Sequence, residues 1–273
     1  MKSRNTRRAL KVALIGRGSI AGVIMRSLLE QHPEIRLAGA LGHDIDRVNE
    51  QLERRIPLTS SIAELLSWKP TLVVECAGHE ALAEHGAQVL RHGIDLIVAS
   101  VGALADAELE RALREAAAAG GARIRIPSGA IGGLDALAAA RVGGLDSVRY
   151  VGRKPVQAWR GTAAERVVDL DRLDEAAVIF EGSAREAALT YPQNANVTAA
   201  TALAGVGFDA TRVTLFADPH ARGNEHEIEA QGRFGMMKFS VVNAPLPENP
   251  KTSSLAAYSL LRCVLALTDT IQF

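Results

Sequence analysis

The sequence predicts an α/β protein: an N-terminal doubly wound parallel sheet followed by a second, α+β domain. Three observations carry that prediction. Between Lys11 and Ile126, short β-branched runs alternate with helical stretches, the pattern of parallel strands joined by crossover helices. A glycine-rich turn stands between the first strand and the first helix. Aromatic residues make up only 4% of the chain, while Ala, Leu, Val and Gly are abundant, which suits helices packed closely on a buried sheet.

The elements follow in order. Lys11–Ile15 (KVALI) opens the sheet, a helix runs from about Ser19 to Gln31, and Ile35–Leu41 is the second strand. A polar helix is expected over Asp44–Arg54, and Thr71–Glu75, Ile94–Ala99 and Arg123–Ile126 read as later strands. The helix Asp106–Ala119 has an acidic start, Leu109 and Leu113 on one face, and Gly120-Gly121 as its stop. Beyond a boundary near Gly129–Gly133 the pattern changes. Ser147–Val151, Ala177–Phe180, Arg212–Ala217 and Lys238–Asn243 are strand-like, and a final helix over Thr252–Thr268 presents Leu255, Tyr258, Leu261, Cys263 and Leu265 on a broad apolar face. A chain of 273 residues is near the limit of one core, so it divides into 1–129 (dinucleotide-binding), 130–251 (substrate-binding) and 252–273 (a helix packing back on the body).

Bulk properties restrict the partners. Lys+Arg and Asp+Glu number 31 each, which argues against a nucleic-acid surface or a polybasic membrane contact and favours a small, locally charged ligand. Cys76 and Cys263 lie too far apart in sequence to suggest a disulfide framework or a metal cluster; no metal is expected, and a reducing, cytoplasmic compartment is the simplest reading. The basic start MKSRNTRRALK is followed by no signal-like apolar run. No later run reaches the roughly 20 apolar residues of a membrane span.

The turn Gly16-Arg17-Gly18-Ser19-Ile20-Ala21-Gly22 is a G-x-G-x-x-A variant of the dinucleotide fingerprint. Gly16 allows the tight turn, Gly18 lets the backbone approach a pyrophosphate, Ser19 and Ile20 open the helix whose N-terminus faces the phosphates, and Ala21 permits close helix–strand packing. The expected fold of the first half is therefore Rossmann-like, with NAD or NADP as cofactor. The second strand ends Leu41-Gly42-His43-Asp44, without the usual acidic partner for the ribose 2′-hydroxyl. Strict discrimination between the two cofactors is not expected, and Arg17 or His43 could accept a 2′-phosphate. In a doubly wound sheet the loops after later strands are the next cofactor contacts, here Cys76, Ala77 and His79, and Ser100 with its small neighbours. Cys76 reads equally as a small buried apolar residue and His79 as a helix-opening residue.

In the second half, the Gly-rich bend Pro127–Gly133 can bring backbone N–H groups to a nicotinamide carboxamide. Asn194 and Asn196 stand at the start of an Ala-rich helix, and each could be an N-cap or a ligand. The stretch from Phe216 to Ile228 packs two histidines, three carboxylates and an arginine into a loop leading to a strand. Alternation places His226 and Ile228 on one strand face, with Glu225 and Glu227 on the other. His226 is the acid/base candidate, since imidazole changes protonation near pH ~6.5; its other reading is a half-buried strand histidine.

The motifs GRGSIAG, VGALAD, IPSGAIGGLDAL, NANVTAA, ADP followed by NEHEIE, and NAPLPENPKTSSLAAYS together resemble the L-aspartate dehydrogenase family over nearly the whole chain. The resemblance implies a Rossmann domain plus an α/β domain for substrate binding and homodimerisation. It implies NAD(P)-linked dehydrogenation of L-aspartate to iminoaspartate, which can feed pyridine-nucleotide biosynthesis or hydrolyse to oxaloacetate and ammonia. By family match, Ala130 and Asn196 fall on cofactor-contacting positions and His226 on the catalytic histidine. The two substrate carboxylates need donors, for which Lys154, His220, Arg222, Lys251 and the hydroxyls of Thr198, Thr252 and Ser253 are unranked candidates. The competing expectations are a reductase of the dihydrodipicolinate or homoserine dehydrogenase type, and a non-catalytic nucleotide sensor, which would need no histidine-rich loop.

Overall fold

The computed structural model describes residues 10–42 and 50–271. The basic start, His43 and most of the helix expected over Asp44–Arg54 lie outside the described residues. In chain order the elements are β1 (Lys11–Ile15), α1 (Ser19–Glu30), β2 (Arg36–Leu41), α2 (Glu50–Glu53), β3 (Leu58–Thr59), α3 (Ile62–Ser67), β4 (Leu72–Glu75), α4 (His79–Arg91), β5 (Asp95–Val98), α5 (Ala107–Gly120) and β6 (Ile124–Arg125). They continue as α6 (Leu134–Gly143), β7 (Leu145–Pro155), β8 (Ala177–Ser183), α7 (Ala184–Thr190), α8 (Asn196–Ala204), β9 (Arg212–Asp218), β10 (Asn224–Gly232), β11 (Gly235–Asn243), β12 (Pro245–Leu246), β13 (Asn249–Ser253) and α9 (Ser254–Leu265). Among the described residues no helix is long and apolar enough to cross a membrane.

The chain forms two compact units: 1–98 with 114–125 and 261–273, and 99–113 with 126–260. In the first, the strands run in the order β3-β2-β1-β4-β5-β6, and the observed pairs are parallel. The central strands are apolar on both faces: Val12, Ala13, Leu14, Ile15, Leu72, Val73 and Val74 are all buried, as a sheet covered on two sides requires. The strand order reverses between β1 and β4, the topological switch point of a doubly wound sheet.

The second unit is built on a mixed sheet, β11-β10-β7-β9-β8, in which β7 and β9 are parallel and the other neighbours antiparallel. Side chains alternate across it. Val148, Tyr150, Gly152 and Lys154 of β7 share the buried face with His226, Ile228 and Ala230 of β10, and α8 packs against β7. On β10 the expected alternation holds, with His226 and Ile228 inward and Glu225 and Glu227 less buried. β7 is longer than the expected Ser147–Val151, because its Gly152 and Pro155 remain within the ladder where local signals read as breakers.

Helix ends follow the residues supplied. The Asp106 carboxylate accepts from the amides of Glu108 and Leu109, the cap expected of an acidic start, and Gly121 takes the positive φ of 66° that stops α5. A reciprocal capping box between Ser183 and Glu186 opens α7.

Candidate active site

In the first unit the glycine turn falls at the switch point. Gly16 has φ of 118°, and a Cβ there would lie 2.8 Å from the carbonyl carbon and oxygen of Cys76. The turn after β1 is thus pressed against the turn after β4, and only glycine tolerates both the conformation and the contact. Gly18 differs. It has an ordinary φ of −73° as the N-cap of α1, and a Cβ built on it meets nothing within 4 Å. Neither backbone nor packing requires glycine at 18, so the open space beside it is the cradle in which a pyrophosphate can approach the backbone. The first turn of α1 carries neither an acidic residue nor a side-chain cap, leaving its dipole available to an anion. Ala21 is wholly buried, as the helix–strand contact demands.

The turn after β4 is strapped by a residue the sequence reading did not single out. Glu75 is 0% exposed, and its Oε1 accepts from the amides of Ala77 at 2.8 Å and Gly78 at 3.0 Å. Cys76 is half-buried. Burial, and secondarily the Glu75 carboxylate, push its thiol well above the usual range, so it is held as a neutral thiol rather than a nucleophilic thiolate. At the end of β2, a Cβ on Gly42 would meet Arg17 Cδ at 2.7 Å. The arginine stem thus packs against the end of β2.

In the second unit, four polar side chains converge on the buried face of the sheet. His226 is 3% exposed, and its Nδ1 lies 2.7 Å from the Tyr150 hydroxyl. The two rings are nearly parallel, with centroids 6.0 Å apart. The Thr198 hydroxyl, from α8, hydrogen-bonds Tyr150. Lys154 is also buried; its Nζ donates to Asn194 Oδ1 at 2.6 Å and lies 5.5 Å from the Trp159 ring centroid. Burial lowers the Lys154 ammonium to about 8. Burial, and then the Lys154 charge, lower His226 to about 3. The site therefore holds a neutral imidazole beside a cation at neutral pH, in the same protonation order as the free side chains but with both groups shifted down by burial.

Comparison with known proteins covers both halves of the chain. Residues 135–267 match the family model "Aspartate dehydrogenase, C-terminal" and residues 16–127 match "Homoserine dehydrogenase, NAD binding domain". The curated L-aspartate dehydrogenase of Cupriavidus necator is 47% identical over 257 residues, covering 93% of this chain and 96% of its own length. The chain belongs to the L-aspartate dehydrogenase family. The Pseudomonas aeruginosa relative of the same name is 48% identical over 93% of this chain. The crystal structure of aspartate dehydrogenase from Thermotoga maritima superposes with a TM-score of 0.76 at 28% identity, covering 97% of this chain and 100% of that one.

As an L-aspartate dehydrogenase family member with an NAD-binding domain, the protein takes a pyridine nucleotide, and the glycine cradle at 16–18 fits one. The remaining predicted residues have definite places. The first unit holds Gly16, Gly18, Ser19, Ile20, Cys76 and Ala77; Ser100, Ala130 and Asn196 belong to the second. Neither Asn194 nor Asn196 is the N-cap of α8, contrary to one expectation. The cap position is Ala195, without a side-chain bond; Asn194 serves Lys154, and Asn196 Oδ1 accepts from the Gly102 amide at 2.9 Å, tying the 3₁₀ turn Val101–Ala105 to α8. In the Gly-rich bend, the Gly129 amide donates to Ser259 Oγ and the Ala130 carbonyl accepts from Asn243 Nδ2, so these two groups support the bend itself.

Among the substrate-binding candidates of this family member, Thr198 is committed to Tyr150 and Lys154 is buried in the cluster. His220 is exposed, with Nε2 donating to the Asp174 carbonyl. Arg222 is exposed, Ser253 Oγ donates to Asn243 Oδ1, and the Lys251 side chain lies outside the described residues. Tyr150 and Gly152 were not visible as site residues in the sequence. Their partner on β10 is 76 residues away for Tyr150, and no local spacing encodes such a contact.

Proposed function

We propose that this chain catalyses NAD- or NADP-linked dehydrogenation of L-aspartate to iminoaspartate, which hydrolyses to oxaloacetate and ammonia, with His226 as acid/base. The reading is carried by the buried cluster of Tyr150, Lys154, Thr198 and His226. A neutral imidazole next to an ammonium suits a substrate that brings carboxylates and must shed a proton from its amino group before oxidation.

The bound pyridine nucleotide supplies the hydride acceptor. Gly16, Gly18, Ser19 and Ile20 seat its pyrophosphate, and Cys76, Ala77, Ser100, Ala130 and Asn196 are the further cofactor contacts. The Arg17 stem over Gly42, in place of an acidic residue, supports acceptance of both NAD and NADP. Lys154 receives a substrate carboxylate: an ammonium has three donors, of which one is given to Asn194. Burial is the larger cause that depresses His226 and the Lys154 charge the smaller; the carboxylate offsets that charge and so favours uptake of the amino proton by the imidazole. His220 and Thr198 are the lesser candidates, Thr198 acting through Tyr150.

In this account, residues 1–129 bind the dinucleotide, 130–251 bind substrate and dimerise, and 252–273 close the chain on the body. The edge strand β11 exposes Met236 and Val242, which supports a homodimer. Two free cysteines support a cytoplasmic setting, and the imine product is suited to supply pyridine-nucleotide biosynthesis.

The test is a panel of amino and hydroxy acids offered with NAD and with NADP at neutral and alkaline pH, following absorbance of the reduced cofactor. Turnover of L-aspartate above every other substrate is expected. Preference for homoserine or another substrate would overturn the assignment. Binding of NADH with no turnover of any substrate would do so in favour of a sensor.

A further inference from the structure

Gly152 lies directly opposite His226 in the antiparallel register of β7 and β10. It has no positive φ, so the backbone does not require glycine there. The requirement comes from a side chain: a Cβ at 152 would lie 2.8 Å from the Tyr150 hydroxyl oxygen, 3.3 Å from Tyr150 Cε1 and 3.0 Å from Leu215 Cδ2. Tyr150, two residues earlier on the same face, therefore lays its ring along the strand over Gly152. That placement delivers its hydroxyl to His226 Nδ1 at 2.7 Å.

Which proton sits on which nitrogen follows from what each group can do. A hydroxyl both donates and accepts, and a neutral imidazole carries one N–H and one lone pair. If the phenol donated to Nδ1, Nε2 would carry the proton and His226 could accept nothing from substrate. If Nδ1–H donates to the phenol oxygen, the phenol donates onward to Thr198 Oγ1 and Nε2 keeps its lone pair. Burial pushes the Tyr150 phenol up, so its proton remains available for that onward bond. The same direction persists when Nε2 takes up a proton, so no hydroxyl need rotate during the transfer.

We propose that Tyr150, seated over Gly152 and anchored by Thr198, is a positioning residue that fixes His226 as the Nδ1–H tautomer and so presents the Nε2 lone pair to the substrate's amino group. The proposal rests on the reading of His226 as the acid/base. In the step it serves, an N–H bond of the substrate ammonium breaks, an Nε2–H bond forms, and imidazole becomes imidazolium; no electrons leave the protein.

The experiment is ¹⁵N NMR of histidine-labelled full-length protein, wild type and Tyr150→Phe, without cofactor or substrate, at neutral pH, together with steady-state kinetics of both. His226 is assigned by its loss in His226→Ala. The expected result is Nδ1–H in wild type, a mixture or Nε2–H in Tyr150→Phe, and kcat in that variant reduced by about 10- to 100-fold with NADH affinity retained. Gly152→Ala, which displaces the phenol while keeping it, should reproduce the change. Wild-type His226 in the Nε2–H form would overturn the proposal, as would a Tyr150→Phe protein that retains both the Nδ1–H signature and wild-type kcat. Failure of the acid/base reading itself is seen separately, as wild-type turnover by His226→Ala.

Discussion

The two fingerprint glycines occupy one turn for different physical reasons, and substituting them separates binding from folding. In Gly18→Val the backbone needs no rearrangement, since φ is −73° and the Cβ direction is open; the folding cost is the weaker N-cap, at most about 1 kcal/mol. The new methyls fill the space through which a pyrophosphate would reach the amides of the turn. Loss of two charge-assisted hydrogen bonds at about 1.5–3 kcal/mol each amounts to roughly 3–6 kcal/mol, or about 10²–10⁴ in affinity. Gly16→Ala does the reverse. Its Cβ would collide with the Cys76 backbone at 2.8 Å with φ at 118°, strain of roughly 1–3 kcal/mol before any backbone displacement. NADH titration by fluorescence and urea unfolding on each variant give the two numbers. A Gly18→Val protein that binds NADH within about threefold of wild type would refute the cradle.

Lys154→Met keeps the stem and removes the charge, so KM for L-aspartate should rise about 10- to 100-fold while NADH affinity is unchanged; an unaltered KM would remove Lys154 from the substrate site. Burial holds His226 at about 3 rather than its ordinary 6.5, so the unfolded chain takes up a proton as pH falls below 6.5 while the native site refuses it until about 3. Stability is then fully present above 6.5 and declines through that window, by about 2 kcal/mol between pH 7 and pH 5. Urea unfolding should show that loss in wild type and its absence in His226→Gln. The raised Cys76 thiol should react with iodoacetamide at pH 8 far more slowly than a free thiol, by at least about tenfold, in mass-spectrometric peptide mapping.

Much of the first unit was legible because its signals are local. The alternation of strand and helix and the glycines at 16 and 18 each depend on residues a few positions apart, and so does the cap at Asp106 in the second unit. The inward side of His226 was legible for the same reason, through its alternation with Ile228. What the sequence withheld is long-range. Glu75 reads as the last residue of an apolar strand, and only the fold reveals that its carboxylate straps the following turn. Lys154 resembles any surface lysine until β7 is seen to run on to Pro155 with Lys154 inward. By its position Asn196 reads as cap or ligand, but a partner 94 residues away, the Gly102 amide, gives its carbonyl oxygen a third use. Elements as short as β3 and the β12–β13 hairpin carry too few residues for any periodicity to register.

The central claim is that the buried imidazole at 226 moves the substrate proton, and steady-state kinetics of His226→Ala with L-aspartate, paired with NADH titration of the same protein, tests it most directly. The account predicts a fall in kcat of about 10²–10⁴ with NADH affinity within about threefold of wild type. A variant that binds NADH normally and retains about half or more of the wild-type kcat would contradict it.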